Sequence, residues 1–322
     1  LRFARHQKEH AVTLDRRTFL KSAALTTAAA TLAPKLAWSA NTSAPSHFDF
    51  AFFTDTHIQP ELDAGKGCDM CFRKIANLNL DFAIMGGDHV FDAVSVDRAR
   101  ANTVFDLYQK TQSTLQLPLH HVLGNHDVFG VNTASGASPS DPGYAKKMYE
   151  DRFGKTYYSF DHKGWHFILL DSIQPTEDRL WDARIDPTQF AWLKDDLQRT
   201  GGTTPIIVAV HVPLVSAYAT WGQPVTPGQK YSTLTIGNSI EVLPVFDGRN
   251  VVAVLQGHLH INEIVTLRNT QYITGGAVCG NWWKGPRMGV PEGFTVVSAR
   301  NGAISTRYES YGFKAVAAPE KS

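Results

Sequence analysis

Five groups of polar residues stand at the carboxyl ends of apolar runs: Asp55-Thr56-His57, Gly87-Asp88, Gly124-Asn125-His126-Asp127, His211 and Gly257-His258-Leu259-His260. With His126 and Asp127 set aside, they offer two carboxylates, four imidazoles and one amide oxygen. Imidazole mixed with carboxylate suits Zn, Fe, Mn, Co or Ni better than Ca or Mg. The donors are too many for one ion and about right for two. A carboxylate shared by two ions would hold them roughly 3.5–4 Å apart, a spacing that clamps an in-line displacement at phosphorus from both sides. Each group alone is ordinary, since Asp-x-His recurs by chance and Gly-Asp is a common turn. The ordered set, each member ending a strand, carries the weight.

The elements that must position these groups can be read from the runs themselves. "FDFAFFTD" (48–55), "FAIMGGD" (82–88), "LHHVLGNHD" (119–127), "PIIVAVHVP" (205–213) and "VVAVLQGHLH" (251–260) read as buried strands. Helical segments are predicted around 67–79, 95–115 and 187–199, the last opening on Pro187. "YYSFDHKGWHFILLDS" (157–172) reads as a hairpin turning at Lys163-Gly164. After residue 262 come four strand-like segments without intervening helices: "NEIVTLR", "QYITGG", "FTVVSA" and "AISTRYE". Strand–helix–strand order predicts a largely parallel sheet, and the helix-poor tail predicts strands on a second sheet, an α/β class. Open sheets of this kind bind ligands beyond the carboxyl ends of their strands, where the polar groups fall.

Composition narrows the function. The 322 residues are 43% hydrophobic and 19% charged, enough for one sizeable core. A formal charge of +1 provides no bulk field for gripping nucleic acid. No run of about 18 apolar residues is present, so no transmembrane span is expected in the mature chain. Cys68-Asp69-Met70-Cys71 has redox or metal spacing, but no second pair supplies further zinc ligands. An oxidising compartment would permit a disulfide there, and the sequence leaves that open.

The N-terminal stretch "DRRTFLKSAALTTAAATLAPKLAWSA" sets Arg16-Arg17 before Phe19, Leu20 and Lys21, then a weakly apolar Ala/Thr-rich run and small residues around Ala37-Trp38-Ser39. This is the layout of a cleaved export signal, and the paired arginines resemble the twin-arginine signals of bacteria. The expectation is a signal over 1–40, a single catalytic domain over 41–322, export by the twin-arginine machinery and a periplasmic or secreted location.

The ordered polar set resembles the calcineurin-like metallophosphoesterases, whose pattern is Asp-x-His, Gly-Asp, Gly-Asn-His-Asp/Glu, a lone His and Gly-His-x-His. The resemblance runs over roughly residues 48–308. It implies a four-layer αββα sandwich, two mixed β-sheets flanked by helices. It implies that Asp55, His57 and His260 hold one metal, that Asn125, His211 and His258 hold a second, and that Asp88 bridges them. The cofactors would be two divalent or trivalent transition-metal ions: Mn, Fe, Zn or Co. His126 would face the substrate and protonate the leaving alkoxide; Asp127 would orient that imidazole or cap a turn. Purple acid phosphatases, in the wider superfamily, carry an iron-ligating Tyr three residues after the bridging Asp. Phe91 stands there in this chain, which argues against an iron–tyrosinate site. His89 reads as lying outside the ligand set, and His120, His121, His162 and His166 as structural.

Long loops are expected around the metals. They bring Tyr218, Trp221 and Tyr231, and then Trp282, Trp283, Lys284 and Arg287. Aromatics beside cations suit an organic group attached to phosphate; otherwise the tryptophans merely cover the core edge. The expected activity is that of an exported two-metal phosphoesterase acting on diesters of a small molecule, lipid or polymer, by in-line attack of a metal-activated hydroxide. The alternatives are a broad phosphomonoesterase for phosphate scavenging and a non-catalytic, metal-stabilised binding protein.

Overall fold

Strands here are built on alternation that faces two cores at once. In β1 (His47–Phe53), Phe48, Phe50 and Phe52 point to one side and Ala51 and Phe53 to the other, and all five are buried. The computed structural model describes residues 47–221 and 230–316, which belong to one compact unit, Ser43–Ser322. The segment read as an export signal, 1–40, lies outside the described residues.

After β1 the strands run β2 (Phe82–Met85), β3 (Leu119–His121), β4 (Tyr158–His162), β5 (Trp165–Leu170), β6 (Ile173–Pro175) and β7 (Trp181–Ala183). They continue as β8 (Ile206–Val210), β9 (Val251–Gln256), β10 (Glu263–Leu267), β11 (Thr270–Thr274), β12 (Gly293–Arg300) and β13 (Ala303–Ser310). The main helices are α1 (Ala64–Ala76), α2 (Arg98–Gln112), α3 (Lys147–Phe153) and α4 (Pro187–Thr200). One sheet has the order β13-β12-β1-β2-β3 and the other β10-β11-β9-β8-β5-β4. Both are mixed: β1, β2 and β3 are parallel, as are β5, β8, β9 and β11, with antiparallel partners outside them.

The two sheets stack through Phe48, Phe50 and Phe52 of the first against Trp165, Phe167 and Leu255 of the second. On the outer face of the first sheet, Phe53 and Met85 pack with Phe72 and Ile75 of α1 and Phe105 and Tyr108 of α2. On the outer face of the second, Ile168, Val208 and Val254 pack with Leu193 and Leu197 of α4. The layering is therefore helices, sheet, sheet, helix, as the resemblance implies.

Local signals explain the boundaries. Asp186 caps α4 by accepting from Thr188 and Gln189 N–H, ahead of Pro187 at the first turn. Lys163 and Gly164 turn the β4–β5 hairpin with φ of 44° and 80°, the left-handed pair such a two-residue turn needs. The third predicted strand is shorter than its apolar run, because Asn125–Asp127 winds into a single 3₁₀ turn. Cys68 and Cys71 lie three apart on the buried face of α1, and all three cysteines are buried free thiols, so the open disulfide resolves to none. Among the described residues, no helix is long and apolar enough to cross a membrane.

Candidate metal centre

The loops after β1, β2, β3, β8 and β9 meet at one end of the stacked sheets and knit to each other. Asp55 N–H donates to Gly87 O at 2.9 Å and His57 N–H to Asp88 O at 3.0 Å, running the first two loops side by side. Gly257 N–H donates to His211 O at 2.9 Å, which joins the loops of the second sheet. Two glycines make the approach possible. A Cβ on Gly124 would lie 2.0 Å from the Asp88 nitrogen, and one on Gly257 would lie 2.2 Å from Thr54 Oγ1. Asp55, His57, Asp88, His258 and His260 all have positive φ, between 38° and 70°. Each such non-glycine residue costs on the order of 1 kcal/mol, and strain of this kind gathers at functional sites.

The seven side chains expected to hold metal converge. His57 Nε2 lies 3.4 Å from Asp88 Oδ2 and 3.7 Å from Asp55 Oδ1. His260 Nε2 lies 3.3 Å from Asp55 Oδ1 and 3.1 Å from His57 Nε2. His211 Nε2 lies 3.1 Å from Asp88 Oδ2 and 3.2 Å from Asn125 Oδ1. Asp88, His211 and His258 form one group with donor atoms all within 4.8 Å of one another, and His57, Asp88 and His126 form another. Asp88 belongs to both, the position a bridging ligand must take.

These residues fit a pair of cations on the chemistry of the donors. His260 Nδ1 and His211 Nδ1 are each 2.8 Å from a backbone carbonyl, of Gly280 and Gly86, to which they donate, so their Nε2 atoms turn inward. Inward Nε2 lone pairs, two carboxylates and an amide oxygen are acceptors facing acceptors, and only positive charge reconciles them. His57 Nδ1 is buried with no protein hydrogen-bond partner, which leaves that ring oriented from the Nε2 side. The electrostatics agree. Burial alone would raise the Asp55 and Asp88 carboxyls, but His260 beside Asp55 and His211 beside Asp88 hold both well below the carboxylate range. Burial pushes His211 down, yet Asp88 and Asp55 lift it to about 9. Burial brings His57 to about 4, and burial with neighbouring His211 brings His258 to about 3, so these two rings are neutral at pH 7, while His211 carries the positive charge that the carboxylates draw and that a bound cation would replace.

His126 is half-buried at the edge of this cluster, its Nδ1 2.6 Å from Phe91 O. Of the two expectations for Asp127, the turn cap is the one observed: it accepts from Gly124 N–H at the start of the 3₁₀ turn and does not orient His126. Its carboxylate is fully buried and accepts from Gly124 N–H (2.9 Å), His89 N–H (2.9 Å) and Asp88 N–H (3.1 Å), and pairs with His89 Nδ1 (2.8 Å). Adjacent residues of a 3₁₀ turn project in different directions, and Asp127 points back under the loops it ties. His89 continues inward to His121 at 2.9 Å, outside the ligand set as expected.

The tryptophans also separate. Trp282 lies over the centre, its ring 4.2 Å from that of His57 and 5.0 Å from that of His260. Trp283 is a core residue, contrary to its expected substrate role: it is fully buried, donates to His57 O at 3.0 Å and packs edge-on to Phe313. Tyr218 opens a short helix, Tyr218–Trp221, and its N–H donates to Glu263; the Trp221 side chain lies outside the described residues. Lys284 and Arg287 sit in the turns after β11, where the Arg287 backbone pairs with Val290. Sequence reasoning missed Trp181, edge-on to His258 at 6.0 Å, and Cys279, whose Sγ is 3.7 Å from His260 Nδ1. Neither sits in a spacing that would have marked it.

Two stacked mixed sheets with an Asp/His/Asn cluster at their shared end define a metallohydrolase of the two-metal kind. Residues 48–262 match the family described as Calcineurin-like phosphoesterase, and the chain belongs to that family. It is 30% identical over 118 residues to purple acid phosphatase 23 of Arabidopsis thaliana, a match covering 33% of this chain and 22% of that protein. It is 28% identical over 201 residues to the serine/threonine-protein phosphatase CPPED1 of Bos taurus, covering 60% of this chain and 56% of the relative. The matches thus span about a fifth and just over half of these relatives' lengths. Among solved structures, a dimetal phosphatase from Danio rerio superposes with a TM-score of 0.56 at 15% identity, covering 83% of this chain and 100% of that one. GAP50, the anchor in the inner membrane complex of Plasmodium, superposes with a TM-score of 0.53 at 19% identity, covering 83% and 85%. At these identities the likeness is one of fold.

Proposed function

We propose that this phosphoesterase prefers phosphodiesters, and that Trp282 is the observation carrying that reading. Its indole faces His57, His260 and, at 5.3 Å, His126, with Phe91 edge-on at 5.7 Å. Trp181 adds a second aromatic at His258. Aromatic faces against the donors suit a substrate with an organic group on phosphorus better than bare phosphate. Among the described residues, the ion-pair partners of Asp55 and Asp88 are all histidines, with no lysine or arginine, and a monoanionic diester needs less added charge than a dianionic monoester.

Asp55, His57 and His260 would hold one ion, Asn125, His211 and His258 the other, and Asp88 both. Bound there, Mn, Fe, Zn or Co supplies Lewis-acid activation of water and neutralises phosphoryl charge. His126 is fixed by its Nδ1–H···O bond to Phe91, which leaves Nε2 to hold the proton for the departing oxygen. Tyr218, Trp221, Lys284 and Arg287 are the loop residues assigned to the remainder of the substrate.

The test compares turnover of bis(p-nitrophenyl) phosphate with that of p-nitrophenyl phosphate, on protein loaded with Mn and, separately, Zn. Preference for the diester supports this reading. The second reading, a phosphomonoesterase, draws on the phosphatase names of the relatives, and a monoester preference would establish it. Asp88→Asn controls for the centre: full turnover with both metals retained would overturn either reading, and wild-type protein inert on every phosphoester would leave a binding protein. We also infer twin-arginine export, supported by Arg16-Arg17 and the small residues Ala37 and Ser39. Replacing both arginines with lysine should keep a fused reporter inside the cell; unimpeded export would refute that route.

A further inference from the structure

The hairpin of β6 and β7 carries an arginine whose contacts lead back to His126. Arg179 donates to four backbone carbonyls: Gly130 O at 2.7 Å, Val131 O at 2.8 Å, Ala137 O at 2.9 Å and Asn132 O at 3.5 Å. Its guanidinium also lies over the Tyr144 ring, 5.3 Å from the centroid. Nη2 reaches Gly130, Ala137 and Asn132 while Nε reaches Val131, so the guanidinium holds the loop from two fixed nitrogens, whereas a lysine ammonium offers one. All four belong to the Gly/Ser/Pro-rich loop that follows His126.

The same peptides bond onward. Gly130 N–H donates to Ala93 O at 2.9 Å and Asn132 N–H to Val94 O at 3.0 Å. That short segment holds His126 at both of its polar anchors: Ala93 N–H donates to His126 O at 2.9 Å, and Phe91 O accepts from Nδ1 at 2.6 Å. The hairpin tip is braced from its other side, where Asp178 accepts from Lys230 Nζ and Tyr231 OH, each at 2.7 Å. Arg179 itself adopts a left-handed φ of 62°, with its N–H on Thr176 O at 3.1 Å.

We propose that Arg179 is a positioning residue for phosphoester hydrolysis, fixing the loop over 130–137 and thereby the segment over 91–94 that aims His126 at the leaving oxygen. The proposal rests on the reading of His126 given above. It makes Arg179 matter in proportion to how much the leaving group needs a proton. A p-nitrophenolate departs readily without one, whereas a phenolate does not.

The experiment measures kcat for nitrophenyl and phenyl esters of whichever ester class is turned over, with wild type, Arg179→Ala, Arg179→Lys and His126→Asn. Metal content and melting temperature are recorded for each. His126→Asn should lose about 10²-fold on the phenyl ester and far less on the nitrophenyl ester. Arg179→Ala should show the same asymmetry, about tenfold against less than about threefold, with both metals retained. Arg179→Lys, which keeps the charge, should fall nearer to Ala than to wild type. Equal losses on the two esters in both Arg179 variants, or no loss, would overturn the proposal while His126→Asn keeps its asymmetry. If His126→Asn itself shows no asymmetry, the reading of His126 fails and the proposal with it. Should Arg179→Ala not fold, the lysine variant carries the comparison alone.

Discussion

Replacing Asp127 with Asn tests the frame beneath the centre, because the change is nearly isosteric and removes only acceptor capacity and charge. The carboxylate now receives four backbone N–H groups and the His89 ring, at 2.8–3.4 Å, with no exposed surface. An amide keeps one acceptor oxygen and turns an NH₂ toward donors. At least two hydrogen bonds to a charged acceptor are lost, each worth about 1.5–3 kcal/mol, so the loss is about 3–6 kcal/mol. For a domain of this size that lowers the melting temperature by on the order of 10 °C. Because the donors to this carboxylate include the Asp88 and Gly124 nitrogens, metal affinity should fall as well, by about 10–100-fold, the usual cost of removing support behind ligands. Calorimetry on the metal-loaded variant and metal analysis after dialysis give both numbers. A melting temperature within about 2 °C of wild type, with the pH–rate profile displaced instead, would refute this reasoning and return Asp127 to the role of orienting His126.

Three further outcomes follow from the same geometry. Gly124→Ala should lose metal and activity with the fold intact, since its Cβ would stand 2.0 Å from a backbone nitrogen that cannot yield; elemental analysis beside circular dichroism checks this. Trp282→Ala should raise KM for diesters more than it lowers kcat for p-nitrophenyl phosphate; equal effects on both substrates would mean that the indole only shields the histidines. His166 lies between Asp161 (2.6 Å) and Asp196 (2.8 Å); burial pulls its pKa down, but the two carboxylates lift it above its ordinary 6.5. Its stabilisation is therefore complete below pH 6.5 and lost as pH rises through the raised value, so His166→Asn should destabilise more at pH 6 than at pH 9 in urea titrations. Asp196, held below its ordinary 3.8 despite burial, bounds the window on the acid side.

Much of the fold was legible because alternation and helical period register directly in composition. The strands β1 to β5, β8 and β9, the Lys163-Gly164 turn and the four tail strands were all marked by apolar runs and their punctuation. What escaped was too short to have a period. The strands β6 and β7 are three residues each, between turn-rich neighbours, and no window distinguishes them from loop. α1 begins at Ala64, before the predicted start, because left-handed Leu62 and Asp63 turn the chain into it without a side-chain cap. Asp63 stands at the N-cap without capping, and Gly65 and Gly67 in the first turn blur the helical pattern there.

The centre divides along a different line. Residue type and order were enough to name the groups that converge, because acceptors at strand ends have few other uses. Direction was not legible, since adjacency in sequence says nothing about which way a side chain leaves a turn. His126 faces the cluster while Asp127 points beneath it, and Trp282 covers the histidines while Trp283 lies in the core with its N–H on His57 O. Both tryptophans have left-handed backbones, at 55° and 66°, as do five of the seven expected ligands. Such backbones persist only where surrounding bonds fix them, so the centre depends on groups that never touch metal. Asp127 secures the Asp88 loop and Trp283 the His57 loop, each through a backbone group of the residue it supports. That dependence explains why residues without metal-ligating roles sit inside the same short motifs as the ligands.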